Sequence, residues 1–199
     1  MAAFMRLFIA LDIDDGIRER ISRFVESVRS FSPDARWVNE GSLHITLKFI
    51  GEQADGKIEA IQQSLDGISA GAPEIHFRGY GFFPTPRSAR VFWVGIKAGP
   101  GLPALATAID LRMPALGISR EGRAFSPHLT LARLSGGSGS PRWRKGDGPN
   151  RTFQRLQEKL SALPEPEFGS MTAREFCLYQ SQLSPKGSKY TKLARFPLG

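Results

Sequence analysis

The tetrapeptides HITL (residues 44–47) and HLTL (residues 128–131) decide the fold that this sequence predicts. Each reads histidine, aliphatic residue, threonine, aliphatic residue. Because successive side chains of a strand point to opposite faces, each tetrapeptide predicts a strand that buries two aliphatic side chains and presents an imidazole beside a hydroxyl. If the two strands lie side by side, two imidazoles and two hydroxyls line one cleft, and these groups are suited to acid–base chemistry on a phosphate.

One such motif alone is weak evidence, because threonine favours strands and short motifs often match by chance. The repetition is informative, since two of the chain's three histidines lie in near-identical contexts, 84 residues apart (128 minus 44). We therefore interpret His44 and His128 as a catalytic pair. The third histidine, His76, lacks the following threonine and is interpreted as structural.

Composition narrows the class of protein. Of 199 residues, 41% are hydrophobic and 23% are charged, which is typical of a globular chain. Lys and Arg outnumber Asp and Glu by 27 to 19, a net charge of +8 that favours a polyanionic partner. The chain has one cysteine, Cys177, so it cannot form an internal disulfide. We expect this cysteine to be buried and the protein to be cytoplasmic. No apolar stretch approaches the ~20 residues of a membrane span, and the first residues predict a strand rather than a secretory signal.

Hydrophobic periodicity predicts four helices and seven longer strands. Helices are predicted over residues 15–31, 55–68, 102–116 and 151–163. Strands are predicted over residues 6–13, 43–50, 74–83, 90–97, 125–134, 173–183 and 189–196. This order predicts an α+β protein of two related lobes, each a mostly antiparallel sheet backed by helices, with one motif per lobe facing a central groove.

We expect residues 1–199 to form a single bilobal domain. Residues 135–149, rich in Gly, Ser and Pro, predict a flexible basic loop within it. The segment RWRK in that loop is suited either to contact phosphates and stack a base or simply to face solvent. The candidates to stack a base are Phe49, Phe125, Trp143 and Tyr190.

Over nearly its whole length the chain resembles the two-histidine (2H) phosphoesterase superfamily, which is defined by two such His-x-Thr motifs. The likeness extends to RLFIAL at residues 6–11, KFIGE at residues 48–52 and LYQSQL at residues 178–183. Within the superfamily it is similar to the RNA 2′,3′-cyclic phosphodiesterases, also called 2′-5′ RNA ligases.

The resemblance implies a bilobal α+β fold that opens an RNA 2′,3′-cyclic phosphate to a 2′-phosphate with no metal and no cofactor. It implies that His44 and His128 are catalytic and that Thr46, Thr130 and Arg133 bind the substrate. In a regular strand Arg133 is out of step with the motif histidine, so it needs the strand to end or twist near residue 132. Lys48 is in step with its histidine and is a secondary candidate on geometry alone.

The roles of the two histidines stay open in the sequence, and our working hypothesis makes His128 the base and His44 the acid. In the reverse reaction, 2′-5′ ligation, these roles swap. Two alternatives remain: another superfamily branch acting on a small cyclic nucleotide, such as ADP-ribose 1″,2″-cyclic phosphate, and a non-catalytic RNA-binding module. We expect a monomer whose partner is an RNA with a cyclic phosphate end.

Overall fold

The computed structural model describes residues 4–134, 151–184 and 187–199. The strands are β1 (Phe4–Asp12), β2 (Ala35–Trp37), β3 (His44–Ala54), β4 (Glu74–Phe83), β5 (Val91–Ala98), β6 (His128–Leu134), β7 (Glu167–Thr172), β8 (Glu175–Ser184) and β9 (Gly187–Pro197). The helices are α1 (Asp15–Val28), α2 (Ile58–Leu65), α3 (Gly101–Arg112) and α4 (Gln154–Ser161). The predicted flexible basic loop, residues 135–149, lies outside the described residues.

The strands form one antiparallel sheet in two halves. Its order is β7-β4-β5-β6-β3-β1-β8-β9, with β2 paired to β6 beside β3. Each motif strand therefore stands at the inner edge of its own half, and the two halves meet where β3 pairs with β6. The predicted α+β class with helix-backed antiparallel sheets is confirmed, and the two predicted sheets are the halves of this one.

All four helices contribute to one hydrophobic core, which covers a single face of the sheet. On α1, Ile17, Ile21 and Val28 are buried, as the three-and-four spacing predicts. The helices also tie the halves together, since α1 follows β1 but packs against β7, where Arg20 Nε donates a 2.5 Å hydrogen bond to the Phe168 carbonyl. Within the described ranges, no helix combines the length and the apolar character that crossing a bilayer requires.

Several element boundaries differ from the prediction. β3 continues through Gly51, which was predicted to end it, because this residue adopts a φ of 86° inside the strand. The strand β7 was not predicted; Gly169, at φ 96°, interrupts its apolar alternation. The predicted ends of three helices are short 3₁₀ turns at residues 29–31, 55–57 and 114–116. Gly117 ends the last of these in the left-handed conformation, directly after the predicted helix end at residue 116.

Candidate active site

The two motifs meet at a single residue pair. β3 and β6 pair antiparallel through Ile45 and Leu129, which hold the same position in their motifs and are both fully buried. Cross-strand partners point to the same face of a sheet, so the histidines and threonines lie on the opposite face, in the groove. Extending the register by one residue sets His44 across from Thr130 and His128 across from Thr46.

A β-bulge in β6 explains why Arg133 lies on the same face of the strand as His128. Trp93 pairs with Thr130, but the preceding residue of β5 pairs with Ala132, so Leu131 is an extra residue in its strand. An extra residue reverses the alternation beyond it. Arg133 therefore shares the groove face with Thr130, and its Nη2 lies 3.5 Å from the threonine Oγ1.

The equivalent bulge in β3 shows that the prediction of Lys48 as a secondary site residue was wrong. Ile9 pairs with Lys48 and the next residue of β1 pairs with Thr46, so Leu47 is the extra residue. Lys48 consequently points into the core, with only 4% of its surface exposed. Its neighbour Phe49 faces the groove in the place that corresponds to Arg133, and 48% of it is exposed.

Inside the core, Lys48 joins β3 to α3. Its Nζ lies 2.7 Å from Asp110 Oδ1 and donates a 3.0 Å hydrogen bond to the Ser119 carbonyl. Asp110 also accepts hydrogen bonds from the Arg120 side chain and the Glu121 amide. The ion pair thus fixes the segment that leads into the second motif.

We expect Lys48→Met to lower the free energy of unfolding by about 3 kcal/mol, the lower end of the range for breaking a buried ion pair, because Arg120 still compensates the Asp110 charge in part. Urea denaturation monitored by circular dichroism measures this loss, with Lys97→Ala as the control at an exposed lysine. A loss below about 1 kcal/mol, the range of a surface pair, would contradict the structural role of Lys48.

Both motif histidines make the same local hydrogen bond. Nδ1 of His44 lies 2.7 Å from the Ser42 carbonyl, and Nδ1 of His128 lies 2.8 Å from the Ser126 carbonyl. A carbonyl accepts only, so Nδ1 carries a proton in each ring and Nε2 is the nitrogen free to accept or donate one. The contact fixes both tautomers and leaves two matching Nε2 atoms for the chemistry.

Two aromatic rings pack near each imidazole. The His44 ring centroid lies 4.9 Å from that of Phe8 and 5.2 Å from that of Tyr190. The His128 centroid lies 4.9 Å from that of Phe83 and 6.2 Å from that of Trp93. These contacts restrict rotation of the rings, which favours a fixed catalytic geometry.

Burial and charge lower the pKa of both imidazoles. Burial lowers the pKa of His44 from 6.5 to about 4, against the opposing effect of the Ser42 carbonyl, and the Arg133 charge lowers it further. Burial also lowers the pKa of His128, with a second lowering contribution from the same guanidinium. Arg133 therefore acts on both rings, and both are neutral near pH 7 when the groove is empty.

The same guanidinium lies within a group of charged and polar side chains. Burial lowers the pKa of Arg133, Tyr190 opposes that shift, and the Arg6 charge adds to it. Arg6 lies across from Ser181, which in turn lies across from Tyr190, so the three form a row over β1, β8 and β9. Two cations and a phenol near two imidazoles are suited to a phosphate.

The alternation of β1 was the signal that sequence reasoning missed. Leu7, Ile9 and Leu11 face the core. The alternate residues of the strand, which include Arg6, Phe8 and Asp12, therefore face the groove. From the sequence, this stretch was predicted only as an opening strand. Trp93 was also missed, and it fits beside His128 because Gly81 opposite it has no Cβ, which would lie 2.2 Å from the indole ring.

The other sequence candidates fall in different places. Phe125 packs against the core, and Trp143 lies outside the described residues. His76 is exposed on β4, 3.6 Å from Glu74, where with Lys97 it borders a surface depression of about 330 Å³. Cys177 is buried, as predicted, and burial raises its thiol pKa to about 11.

In the part of the chain that the structure describes, one group of side chains has donor atoms close enough together to hold a metal ion: Asp12, Glu175 and Cys177. Lys192 Nζ already occupies it, 2.6 Å from the first carboxylate and 3.6 Å from the second. The thiol with its raised pKa stays protonated near pH 7, which is unsuited to metal binding. These residues therefore do not fit a metal ion.

The geometry agrees with what comparison of sequences and structures finds. The family model described as LigT like Phosphoesterase matches residues 11–93 and 96–190, both motifs included. The chain belongs to this phosphoesterase family. The LigT-like family lies within the two-histidine superfamily that the motifs indicated.

LigT-like relatives match nearly end to end. An RNA 2′,3′-cyclic phosphodiesterase of Methanothermobacter thermautotrophicus is 34% identical over 98% of this chain and 99% of its own length. Another, of Archaeoglobus fulgidus, is 35% identical over 96% of this chain and 99% of its own length. The crystal structure of E. coli LigT complexed with 3′-AMP has a TM-score of 0.76 at 28% identity, covering 98% of this chain and 99% of that one.

Proposed function

We propose that this protein is an RNA 2′,3′-cyclic phosphodiesterase, which hydrolyses a terminal cyclic phosphate to a 2′-phosphate with His128 as general base and His44 as general acid. The observation that carries the proposal is the pairing of Ile45 with Leu129, since this register brings both histidines and both threonines to one groove. The activity of the full-length relatives supports the same reaction.

The reaction needs two proton transfers. The base takes a proton from water, whose oxygen attacks phosphorus, while the acid protonates O3′ of the ribose as the phosphorus–O3′ bond breaks. The products are a 2′-phosphate and a free 3′-hydroxyl, so atoms and charge balance. Each ring presents Nε2 for one transfer, because Nδ1 is committed to a carbonyl, and each transfer is worth about 10²–10⁴ in rate.

The developing charge on the phosphoryl oxygens requires fixed donors. Arg133 supplies a charged and potentially bidentate donor, and the hydroxyls of Thr46 and Thr130 lie across from the two histidines. These groups bind the substrate rather than transfer protons. We infer that no metal takes part, because Arg133 and Arg6 supply positive charge for the phosphate and the donor cluster of Asp12, Glu175 and Cys177 already holds the Lys192 ammonium.

An RNA end is the substrate class that the groove supports. The chain has a net charge of +8, which attracts a polyanion. Phe49, half exposed on the groove face, offers a ring on which the terminal base can stack. Reversible 2′-5′ ligation, a cytoplasmic location and a monomeric state belong to the same proposal, and all three await their own measurements.

The decisive experiment uses a short oligonucleotide with a 2′,3′-cyclic phosphate end, alongside mononucleotide cyclic phosphates and ADP-ribose 1″,2″-cyclic phosphate, with and without EDTA. We expect the oligonucleotide to be the fastest substrate, the product to be a 2′-phosphate, and the rate to be unchanged by EDTA. Turnover only of the small molecules would favour another superfamily branch, and loss of turnover in EDTA would refute the metal-free scheme.

We expect bell-shaped pH profiles with different optima for kcat/KM and kcat. Catalysis needs one protonated and one neutral ring, a state that is most populated between the two macroscopic pKa values. Both histidine pKa values lie below 6.5 in the free enzyme, so kcat/KM should peak below pH 6.5. A bound phosphate anion raises both, which moves the kcat optimum to higher pH. Steady-state rates from pH 4 to 9 test this, and a kcat/KM optimum above pH 7.5 would contradict it.

A further inference from the structure

The active site has a local two-fold symmetry, and one of the positions at which it breaks lies directly beside the motif histidines. The axis passes between Ile45 and Leu129, which pair with each other from equivalent places in their motifs. On the far side of each motif strand, however, the partners differ. Asp12 of β1 pairs with His44, whereas Gly95 of β5 pairs with His128.

The glycine on the second side is required by packing. A Cβ added at Gly95 would lie 2.3 Å from the carbonyl oxygen of Arg78, which is far inside van der Waals contact. No side chain, and therefore no carboxylate, can occupy that position without moving β4. The packing of β4 against Gly95 therefore fixes the difference between the two histidines: the strand partner of His44 is an aspartate and that of His128 is a glycine.

On the first side, hydrogen bonds fix the carboxylate of Asp12. The Tyr179 hydroxyl donates to Oδ1, and Lys192 Nζ donates to Oδ2 at 2.6 Å. Burial alone would raise the pKa of Asp12, but these two donors outweigh it and lower the pKa, so the carboxylate is ionised across the working pH range. The Tyr179 ring stacks 5.2 Å from Phe8, which packs 4.9 Å from His44, so carboxylate and imidazole belong to one packed unit.

The charged and titratable groups that face His44 come from three strands. They are Asp12 from β1, Arg133 and His128 from β6, and the Tyr190 ring from β9. Among the described residues whose charges act on this imidazole, Asp12 is the one anion. Among the described residues, the charge that acts on His128 is that of the cation Arg133.

We propose that Asp12, held by Tyr179 and Lys192, is a positioning residue that stabilises the imidazolium form of His44 and thereby assigns it the general-acid role. This inference rests on the proposed hydrolysis. In the empty groove, burial and Arg133 outweigh the carboxylate. A bound phosphate anion offsets Arg133 for both rings, and Asp12 then gives the His44 imidazolium a stabilisation that His128 does not receive.

The test is NMR titration of the imidazole nitrogens, which resolves easily because the chain has three histidines. The variants are Asp12→Asn, Asp12→Glu and the control Asp14→Asn, which removes an exposed carboxylate two residues away. Each is titrated with and without adenosine 2′-monophosphate, and circular dichroism checks that it folds. In Asp12→Asn we expect a lower pKa at His44 and an unchanged pKa at His128.

Kinetics supply the second readout. In Asp12→Asn we expect kcat on the cyclic-phosphate oligonucleotide to fall about tenfold, the change that one pKa unit represents, with KM within about twofold of the wild type. Asp12→Glu, which keeps the charge, should recover part of kcat and keep the His44 titration near the wild type. Asp14→Asn should match the wild type in both readouts.

Two results overturn the inference: an unchanged His44 titration in folded Asp12→Asn, or an equal pKa change at both motif histidines. If Asp12→Asn does not fold, Asp12→Glu decides, since the inference requires its His44 titration to stay near that of the wild type. A wild-type protein without turnover would end the proposed function, and the titration would still report whether Asp12 acts on His44.

Discussion

His44→Ala and His128→Ala should each lower kcat on a cyclic-phosphate oligonucleotide by about 10²–10⁴, the value of one general acid or base. KM should change little, because Arg133 and the two threonine hydroxyls remain in the groove. The double variant should lose much less than the product of the single losses, since two groups that act in one step are not additive. Single-turnover rates of the four proteins measure this.

His76→Ala is the matched control, because it removes an exposed imidazole that pairs with Glu74 rather than with the groove. It should retain wild-type rates. Binding of a fluorescent oligonucleotide with a 2′-phosphate end should survive in every variant, as measured by anisotropy. Wild-type turnover that persists in both motif variants would refute acid–base roles for these histidines, and binding without wild-type turnover would favour the RNA-binding module.

Arg133→Met should lower kcat/KM by about 10²–10³, because it removes a charged donor aimed at the phosphoryl group. Arg133→Lys should recover only part of this, since lysine keeps the charge but loses the planar fork. Removing the cation also raises the pKa of both histidines towards 6.5, so the kcat/KM optimum should move to higher pH. Steady-state profiles across the pH range record both effects.

The control for Arg133 is Arg23→Met, which removes an exposed cation from α1 that lies 3.7 Å from Glu19. It should leave the rate and the optimum unchanged. If Arg133→Met shifted neither the rate nor the optimum, the guanidinium would have no part in phosphate binding, and the row of Arg6, Ser181 and Tyr190 would be the next place to look for the anion site.

Short-range patterns explain why much of the fold could be predicted. The spacing of Ile17, Ile21 and Val28 fixes which face of α1 is buried, because a helix repeats every 3.6 residues whatever its neighbours are. The twofold repeat of a strand likewise places each motif histidine on the face of its threonine. Both rules hold within one element, so they can be read from the chain alone.

The regular strand repeat fails where a bulge interrupts it, which made the prediction for Lys48 wrong and met the condition that the sequence set for Arg133. An extra residue at Leu47 turned Lys48 into the core, and one at Leu131 brought Arg133 into the groove. Bulges arise from the register between two strands, which no single strand encodes. The missed strand β7 has the same cause, since its place is set by pairing with β4 across a glycine at positive φ.

By itself, the sequence determined that two strands each carry an imidazole and a hydroxyl opposite an aliphatic face, because side-chain alternation is a local property of extended backbone. Tertiary structure alone decided that Ile45 meets Leu129, that the Arg133 charge acts on both rings, and that among the described residues a carboxylate acts on His44 and none acts on His128. These facts depend on contacts between residues far apart in the chain, and the packing of the whole sheet fixes them.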